Sequence, residues 1–206
     1  AIDEIYVGRK KKFYTLVIDL ESGRIVWVAH GRGGDCLRKF WRRLRLAHAK
    51  IVAVAMDMSA AYWKAVRDHL PAAAVVFDKF HIVKLVNDKL DDVRRELVRQ
   101  AEGTLKTSIK GLRYLLLTRR PRLAEDKLQT LDVALRLNQP LFTAYYLKEE
   151  LLLLWEQPTA DAMGKYLESW CRRAVDTGLA AFESLAKTLR SHRAGILSWF
   201  THRINS

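Results

Sequence analysis

The sequence changes its periodicity near residue 80, and this change limits the folds that the chain can adopt. Before it, short runs rich in β-branched and aromatic residues, such as Phe13 to Leu20 and Ile25 to His30, are separated by turn-forming residues. After it, apolar residues recur three or four positions apart, as in Val83 to Leu97, and we find no convincing strand pattern. We therefore predict the element order βββαβαβα, followed by four to six helices.

Five strand runs define the first part of the chain. Ala1 to Val7 precedes the basic turn Gly8 to Lys12 and the two runs of the hairpin, which predicts an antiparallel meander. Ile51 to Met56 is a continuous apolar run, typical of a strand buried on both faces, and Ala74 to Phe77 predicts a fifth strand. A strand-rich part followed by a helix-rich part indicates an α/β core with an all-helical insertion or second domain.

The charge of the chain points to a polyanionic partner. Its 36 Lys and Arg exceed 23 Asp and Glu by 13, yet 50% of the residues are hydrophobic, which excludes a disordered basic tail. Each phosphate that a Lys or Arg neutralises releases counterions, so nucleic acid is the first candidate and an anionic membrane surface the second. Basic clusters with aromatic neighbours favour DNA or RNA. The candidate DNA-binding residues are Lys10, Lys11, Lys12, Arg38, Arg42 and Arg43.

Other features exclude several classes of protein. The longest apolar stretches are far shorter than the roughly 20 residues that a membrane span needs, and the first residues do not resemble a signal peptide. Cys36 and Cys171 have no CxxC spacing, which excludes a zinc knuckle and argues against a disulfide framework. We therefore expect a protein of the reducing cytoplasm without a membrane partner.

Two carboxylates occupy positions where an apolar residue would cost less. Asp3 lies inside the first strand run, and Asp57 ends the most apolar one. If these strands are neighbours in one sheet, the two side chains can converge on a divalent metal ion, as phosphoryl transfer requires. The alternatives are a helix cap for Asp57 and a solvated chain end for Asp3. Asp78 and His81 follow the fifth strand, where a cap and a partly buried histidine are the alternatives.

Four segments in order give the sequence a family resemblance. They resemble the ISL3-type insertion-sequence transposases strongly over about residues 1 to 100 and loosely beyond them. The segments are Ile2-Asp3-Glu4, Asp19-Leu20-Glu21-Ser22-Gly23, Met56-Asp57-Met58-Ser59-Ala60-Ala61-Tyr62, and Val76-Phe77-Asp78-Lys79-Phe80-His81-Ile82-Val83-Lys84.

The resemblance implies a fold and a catalytic site. The fold is an RNase H-like mixed five-stranded sheet with flanking helices and an all-α insertion. We expect residues 1–100 to form the core, 101–180 the insertion and 181–206 a helical return toward the core. Asp3 and Asp57 would be the first two acids of a DDE triad and would bind Mg²⁺ or Mn²⁺. Asp78 and His81 match a (C/D)xxH signature that borders the active site in related transposase families.

The resemblance also implies partners and a missing acid. The partners are element-end and target DNA and further copies of the chain, in a bacterial cytoplasm close to the nucleoid. The third acid of the family is a Glu in a segment like NGPLEGxNNKIK, which residues 1–206 do not contain, and Glu168 and Glu183 lack its flanking motif. We therefore expect a fragment, cut at both ends, that is inactive alone. The alternatives are a non-catalytic basic domain for nucleic-acid binding or assembly and an RNase H-like nuclease.

Overall fold

The computed structural model describes residues 1–8 and 12–205, so the predicted DNA contacts Lys10 and Lys11 lie outside the described residues. The strands and α-helices occur in the predicted order, βββαβαβα, as far as the third α-helix. The strands are β1 Ile2–Val7, β2 Lys12–Asp19, β3 Arg24–His30, β4 Ala53–Met56 and β5 Ala74–Phe77. The α-helices are α1 Arg38–Leu46, α2 Ala60–His69, α3 Lys79–Gln100, α4 Gly103–Gly111, α5 Arg113–Leu117, α6 Glu125–Arg136, α7 Gln139–Leu152, α8 Ala160–Asp176, α9 Ala180–Ser191 and α10 Arg193–His202.

The chain divides into two compact units. The first comprises residues 1–82 and 192–206, and the second comprises residues 83–191. The first unit contains all five described strands, whereas the second is helical throughout. The predicted boundaries after residues 100 and 180 both fall inside the second unit. Within the described part of the chain, no helix is long and apolar enough to cross a membrane.

The first three strands form an antiparallel meander in the order β1-β2-β3, as predicted. The turn before β3 places Gly23 at a φ of 69°, a left-handed conformation that glycine adopts without steric cost. Ile2, Thr15 and Val17 are buried, while β3 is largely exposed. One face of the meander therefore packs on the core of the first unit.

The strands β4 and β5 form a separate parallel pair, with Met56 opposite Phe77. The helix α2 connects them and buries Tyr62 and Val66, because these residues lie one helical turn apart on its inner face. The single mixed five-stranded sheet that we predicted is therefore wrong for the described strands. The strands β1 and β4 adjoin, but no ladder joins them.

The helix α10 returns to the first unit and packs on β5. The approach is close because Gly195 faces the ring of Phe77, where an added Cβ would overlap Cδ2. His192, just before α10, contacts the same ring edge-on with centroids 5.0 Å apart. Phe77, the last residue of β5 and the neighbour of Asp78, is thus packed against the start of α10.

The second unit packs seven α-helices, from most of α3 to α9, around an apolar core. Among the described residues, seven α-helices follow α3 rather than the four to six that we predicted. One reason is that the helical pattern is interrupted at Leu112, which separates α4 from α5. Lys148 is 1% exposed, and its Nζ donates to the carbonyl oxygens of Leu116 at 3.1 Å and Thr118 at 3.3 Å. Glu149 pairs with the same ammonium group. Burial lowers the pKa of Lys148, although Glu149 partly opposes this.

Candidate active site

Asp57 and Asp78 follow the two parallel strands at the same edge of the pair. Met56 and Phe77 are opposite each other, and the Asp78 amide donates to the Met56 carbonyl oxygen at 3.0 Å, so the two acids are adjacent. Each carboxylate accepts a bond from the amide two residues ahead, Ser59 for Asp57 and Phe80 for Asp78, both at 2.9 Å. These bonds turn the chain from strand to helix. The carboxyl ends of parallel strands are a common place for a ligand site.

His81 connects this edge with the first strand. Its Nε2 lies 3.8 Å from Oδ1 of Asp3 and 4.0 Å from Oδ2 of Asp78. Asp78 is 2% exposed, whereas the Asp3 and His81 side chains are partly accessible. The structure therefore brings together three of the four predicted site residues around one imidazole. The fourth, Asp57, lies beside Asp78, because Met56 and Phe77, the residues before them, are opposite each other in the strand pair.

A hydrogen-bonded bridge ties β1 to α2, and the sequence did not predict it. The Tyr62 hydroxyl donates to Oε1 of Glu4 at 2.7 Å and accepts from the Gly33 amide at 3.1 Å. It also lies 2.7 Å from the Thr15 hydroxyl, a contact in which either oxygen could donate. Burial, with a smaller contribution from Glu4, raises the pKa of Tyr62, so it stays a neutral donor.

This bridge joins the family segments that contain the candidate acids. Glu4 follows Asp3 directly, and Tyr62 belongs to the first two turns of the helix that follows Asp57. The bridge therefore fixes the position of β1 relative to the β4–α2 connection. The sequence carried one signal for it, since both residues stand inside the quoted segments, but only the structure shows that they meet.

Cys36 extends the polar cluster around Thr15. Its thiol lies 2.8 Å from the Gly33 carbonyl oxygen and 3.1 Å from the Thr15 hydroxyl. The Thr15 hydroxyl is also 3.0 Å from the Gly31 carbonyl oxygen. These contacts give the carbonyl oxygens of Gly31 and Gly33 hydrogen-bond partners in the loop before α1, where Gly33 has a φ of 95°. Cys36 is therefore a structural side chain, and both described cysteines are free.

The predicted basic residues on α1 form an exposed face. Phe40 and Trp41 point into the core, so Arg38, Arg42 and Arg43 lie on the outside of the helix. Among the described residues, none of these three arginines has a carboxylate within salt-bridge distance. Lys12, at the start of β2, is also exposed. These four side chains thus present uncompensated positive charge.

The donor chemistry of the edge fits Mg²⁺ or Mn²⁺. Carboxylate oxygens are hard ligands, and Mg²⁺ is usually held by one or two carboxylates together with substrate phosphates. In Asp57 the strand-to-helix turn uses only Oδ1, which leaves Oδ2 for a ligand. Among the described residues, no group of three or more His, Cys, Asp or Glu side chains is arranged to hold a metal ion. Glu168, considered as a further acid, pairs with Arg190 inside the second unit instead.

The sequence comparisons identify the class. The pattern that defines the ISL3-type DDE transposase family, described as a transposase, matches residues 1–206, so the chain belongs to this family and the resemblance is confirmed. A transposase is a DNA-processing enzyme.

Two curated relatives match the whole chain. The transposase for insertion sequence element IS1001 of Bordetella parapertussis is 32% identical over 210 residues, which cover 100% of this chain and 52% of the relative. The transposase for insertion sequence element IS1557 of Mycobacterium tuberculosis is 28% identical over 231 residues, which cover 100% of this chain and 51% of the relative. The chain thus spans about half the length of these relatives. No solved structure matches it.

Proposed function

We propose that this chain is the catalytic-domain portion of a DNA transposase that performs metal-dependent phosphoryl transfer at insertion-sequence ends. The observation that carries the proposal is the convergence of Asp3, Asp78 and His81 at the edge where Asp57 follows β4. Family membership supports the activity, and the two relatives are named as insertion-sequence transposases. The RNase H-like fold remains part of this proposal.

The proposed roles follow from where each side chain lies. Asp3 and Asp57 would hold Mg²⁺ or Mn²⁺, which would supply the positive charge that phosphoryl transfer needs. Asp78 is buried and fixes the edge beside Asp57, while His81 lies between Asp3 and Asp78 and orders the two carboxylates. The reaction would hydrolyse the phosphodiester at the element end, and the freed 3′-hydroxyl would then attack target DNA.

DNA is the proposed partner, and the exposed basic face contributes to its binding. Lys12, Arg38, Arg42 and Arg43 are proposed contacts with the DNA backbone, because their charges are exposed. Lys10 and Lys11 belong to the same proposal on the grounds of sequence alone. Further copies of the chain are the proposed partners on DNA.

A metal titration tests the site. Mn²⁺ binding to the wild-type chain is measured by electron paramagnetic resonance and compared with that of Asp57→Ala. Loss of a residue that only supports a metal ligand already weakens metal binding by roughly tenfold or more. Loss of the Asp57 carboxylate, a proposed ligand itself, should therefore weaken Mn²⁺ binding by at least roughly tenfold. Asp68→Ala is the matched control, because Asp68 is an exposed acid on α2 that pairs with Lys64. Equal binding by all three proteins would favour a non-catalytic DNA-binding or assembly domain.

A cleavage assay tests the reaction. We propose that the 206-residue chain alone binds element-end DNA without cutting it, because the family segment with the third acid is not found in its sequence. A misplaced metal ion costs on the order of a hundredfold in rate for an error of about 1 Å. Cutting by this chain that requires Mn²⁺ and is abolished by Asp57→Ala would show that residues 1–206 complete the site. Cutting of any duplex, without joining, would instead favour a nuclease.

A further inference from the structure

The second unit contains a basic groove that none of the predicted basic clusters includes. It lies between the C-terminal half of α3 and the end of α4 and has a volume of about 530 Å³. Four cations, one acid and one valine line it. The lining residues are Asp92, Arg94, Arg95, Val98, Arg99 and Lys110.

A buried acid beneath the groove orients its arginines. Asp91 is 6% exposed, and its Oδ1 accepts from Nε of Arg94 at 2.7 Å. Its Oδ2 lies 2.9 Å from Nε of Arg95, and Nε of Arg113 is 3.8 Å from Oδ1. The Asp91 carboxylate thus holds Arg94 and Arg95, two of the groove arginines, each by its Nε atom. Neither of these two contacts involves a terminal nitrogen of the guanidinium group.

Arg94 has the geometry of a preorganised anion receptor. Its side chain is 8% exposed, yet it contributes to the wall of the groove. A guanidinium group that is fixed in this way loses little rotational freedom when it binds, and its planar fork matches two oxygens of a phosphate. Burying a charge is costly, and the buried Asp91 carboxylate compensates the charge of Arg94.

The groove keeps an excess of positive charge. Asp92, its one acid, lies 3.7 Å from Nζ of Lys89, which is outside the groove. Arg99 pairs with Glu96, and both side chains are exposed to solvent, where such pairs contribute little. Within the described residues, Lys110 has no carboxylate at salt-bridge distance. The cations are therefore incompletely neutralised.

We propose that this groove binds the phosphodiester backbone of duplex DNA, with Arg94 and Arg95 as oriented phosphate receptors and Arg99 and Lys110 as flanking contacts. The proposal rests on the proposed function, which makes DNA the substrate. Fixed guanidinium groups beside flexible cations suit a row of phosphates, and the half-buried Val98 offers no hydrogen bond to a base. The groove is expected to position DNA without reading its sequence.

The first test measures the salt dependence of DNA affinity. The wild-type chain and the variant Arg99→Gln/Lys110→Gln bind a fluorescent mixed-sequence duplex, followed by anisotropy at several salt concentrations. Both replaced side chains are exposed, so folding should be preserved. The slope of log K against log salt is negative, and its magnitude should decrease by about 0.9 for each phosphate that the variant no longer neutralises. The control Arg172→Gln/Lys187→Gln removes the same charge from exposed positions of this unit outside the groove.

Asp91→Asn separates orientation from net charge. A change that removes a negative charge should strengthen DNA binding if only the total charge matters. We expect weaker binding instead, because the arginine guanidinium groups lose the carboxylate that orients them. Circular dichroism checks that the variant is folded, and the exposed double variant tests the groove independently.

Several outcomes would overturn the proposal. They are an unchanged slope in the groove variant, an equal decrease in the control, and stronger binding by folded Asp91→Asn. Competition by inorganic phosphate beyond that of chloride at equal ionic strength would indicate a small-anion site. Preferential binding of polyglutamate over duplex DNA would indicate an acidic protein partner. Mn²⁺ binding is measured on the same variants and should not change, so a failure at Asp57 is distinguishable from a failure of the groove.

Discussion

Removal of the Tyr62 hydroxyl should weaken both the fold of the first unit and its candidate metal site. Tyr62→Phe retains the buried ring, which is 1% exposed, and deletes only the oxygen that binds Glu4, Thr15 and the Gly33 amide. The variant therefore creates almost no cavity. It leaves a buried hydroxyl and a backbone amide without one partner each, and it releases Glu4 from α2.

The expected size of the effect follows from these bonds. A hydrogen bond to a charged group contributes about 1.5–3 kcal/mol, but Glu4 is half-buried and regains water when the bond is broken. We therefore expect the free energy of unfolding to fall by about 2 kcal/mol. For a chain of 206 residues, this corresponds to a decrease in Tm of roughly 4–8 °C.

Urea unfolding followed by circular dichroism measures the stability, and Mn²⁺ titration measures the site. Tyr14→Phe is the control, because Tyr14 is a half-buried tyrosine of the same unit that contacts His30 through its ring. Glu4→Gln retains an acceptor oxygen and should cost less than Tyr62→Phe. Because the two residues share one bond, the double variant should be less destabilised than the sum of the single variants.

The Mn²⁺ titration links the bridge to function. If Glu4 holds the strand that carries Asp3, then Mn²⁺ affinity should fall in Tyr62→Phe even where the protein is fully folded. A stability change below about 0.5 kcal/mol, the range of ordinary surface substitutions, would refute the energetic reasoning. Unchanged Mn²⁺ affinity in a destabilised variant would leave the bridge a purely structural contact.

Two other positions give sharp predictions. Gly195→Ala should lower the free energy of unfolding by about 1–3 kcal/mol in urea, because its Cβ would overlap the Phe77 ring, whereas Gly111→Ala meets open space and should be tolerated. Lys148→Met should cost about 1–3 kcal/mol, since the buried Leu116 carbonyl group and the partly buried Thr118 carbonyl group lose their donor. Burial lowers the pKa of Lys148 in the folded state, so wild-type stability should rise with pH toward the usual value of 10.5, relative to Lys148→Met, in pH-dependent unfolding. A wild-type minus variant difference that is flat or falls over that window would contradict this sign.

Local patterns were sufficient to predict the strands and their order. Alternation and turn residues identified the β2–β3 hairpin, and the apolar run before Asp57 identified β4, because each signal lies within a few consecutive residues. The same patterns could not show that β4 pairs only with β5. Which strands pair depends on how the elements of the unit pack together, and this is not encoded in any one run of residues.

The contacts of the candidate site that the sequence patterns missed join residues that are distant in sequence. Asp78 and His81 are three residues apart on one segment, so their proximity was predictable. Glu4 and Tyr62 are 58 positions apart, and nothing in composition or spacing pairs a carboxylate with that particular tyrosine. The groove arginines were missed because the acids Asp91, Asp92 and Glu96 stand among them on α3, so the segment is not a basic run.

The two interpretations that the sequence left open for Asp57, a cap and a metal ligand, turn out to be compatible. The turn into α2 needs one carboxylate oxygen, which accepts from the Ser59 amide and fixes the side chain at the end of β4. A metal ion needs the other oxygen, already oriented by that bond, so the turn reduces the entropy that a ligand must lose. Asp78 makes the equivalent bond to Phe80 but is buried, which suits it to support the edge rather than to face DNA. The same local turn thus occurs at both acids, and the proposed ligand Asp57 differs from Asp78 in that Asp78 is buried and lies beside His81.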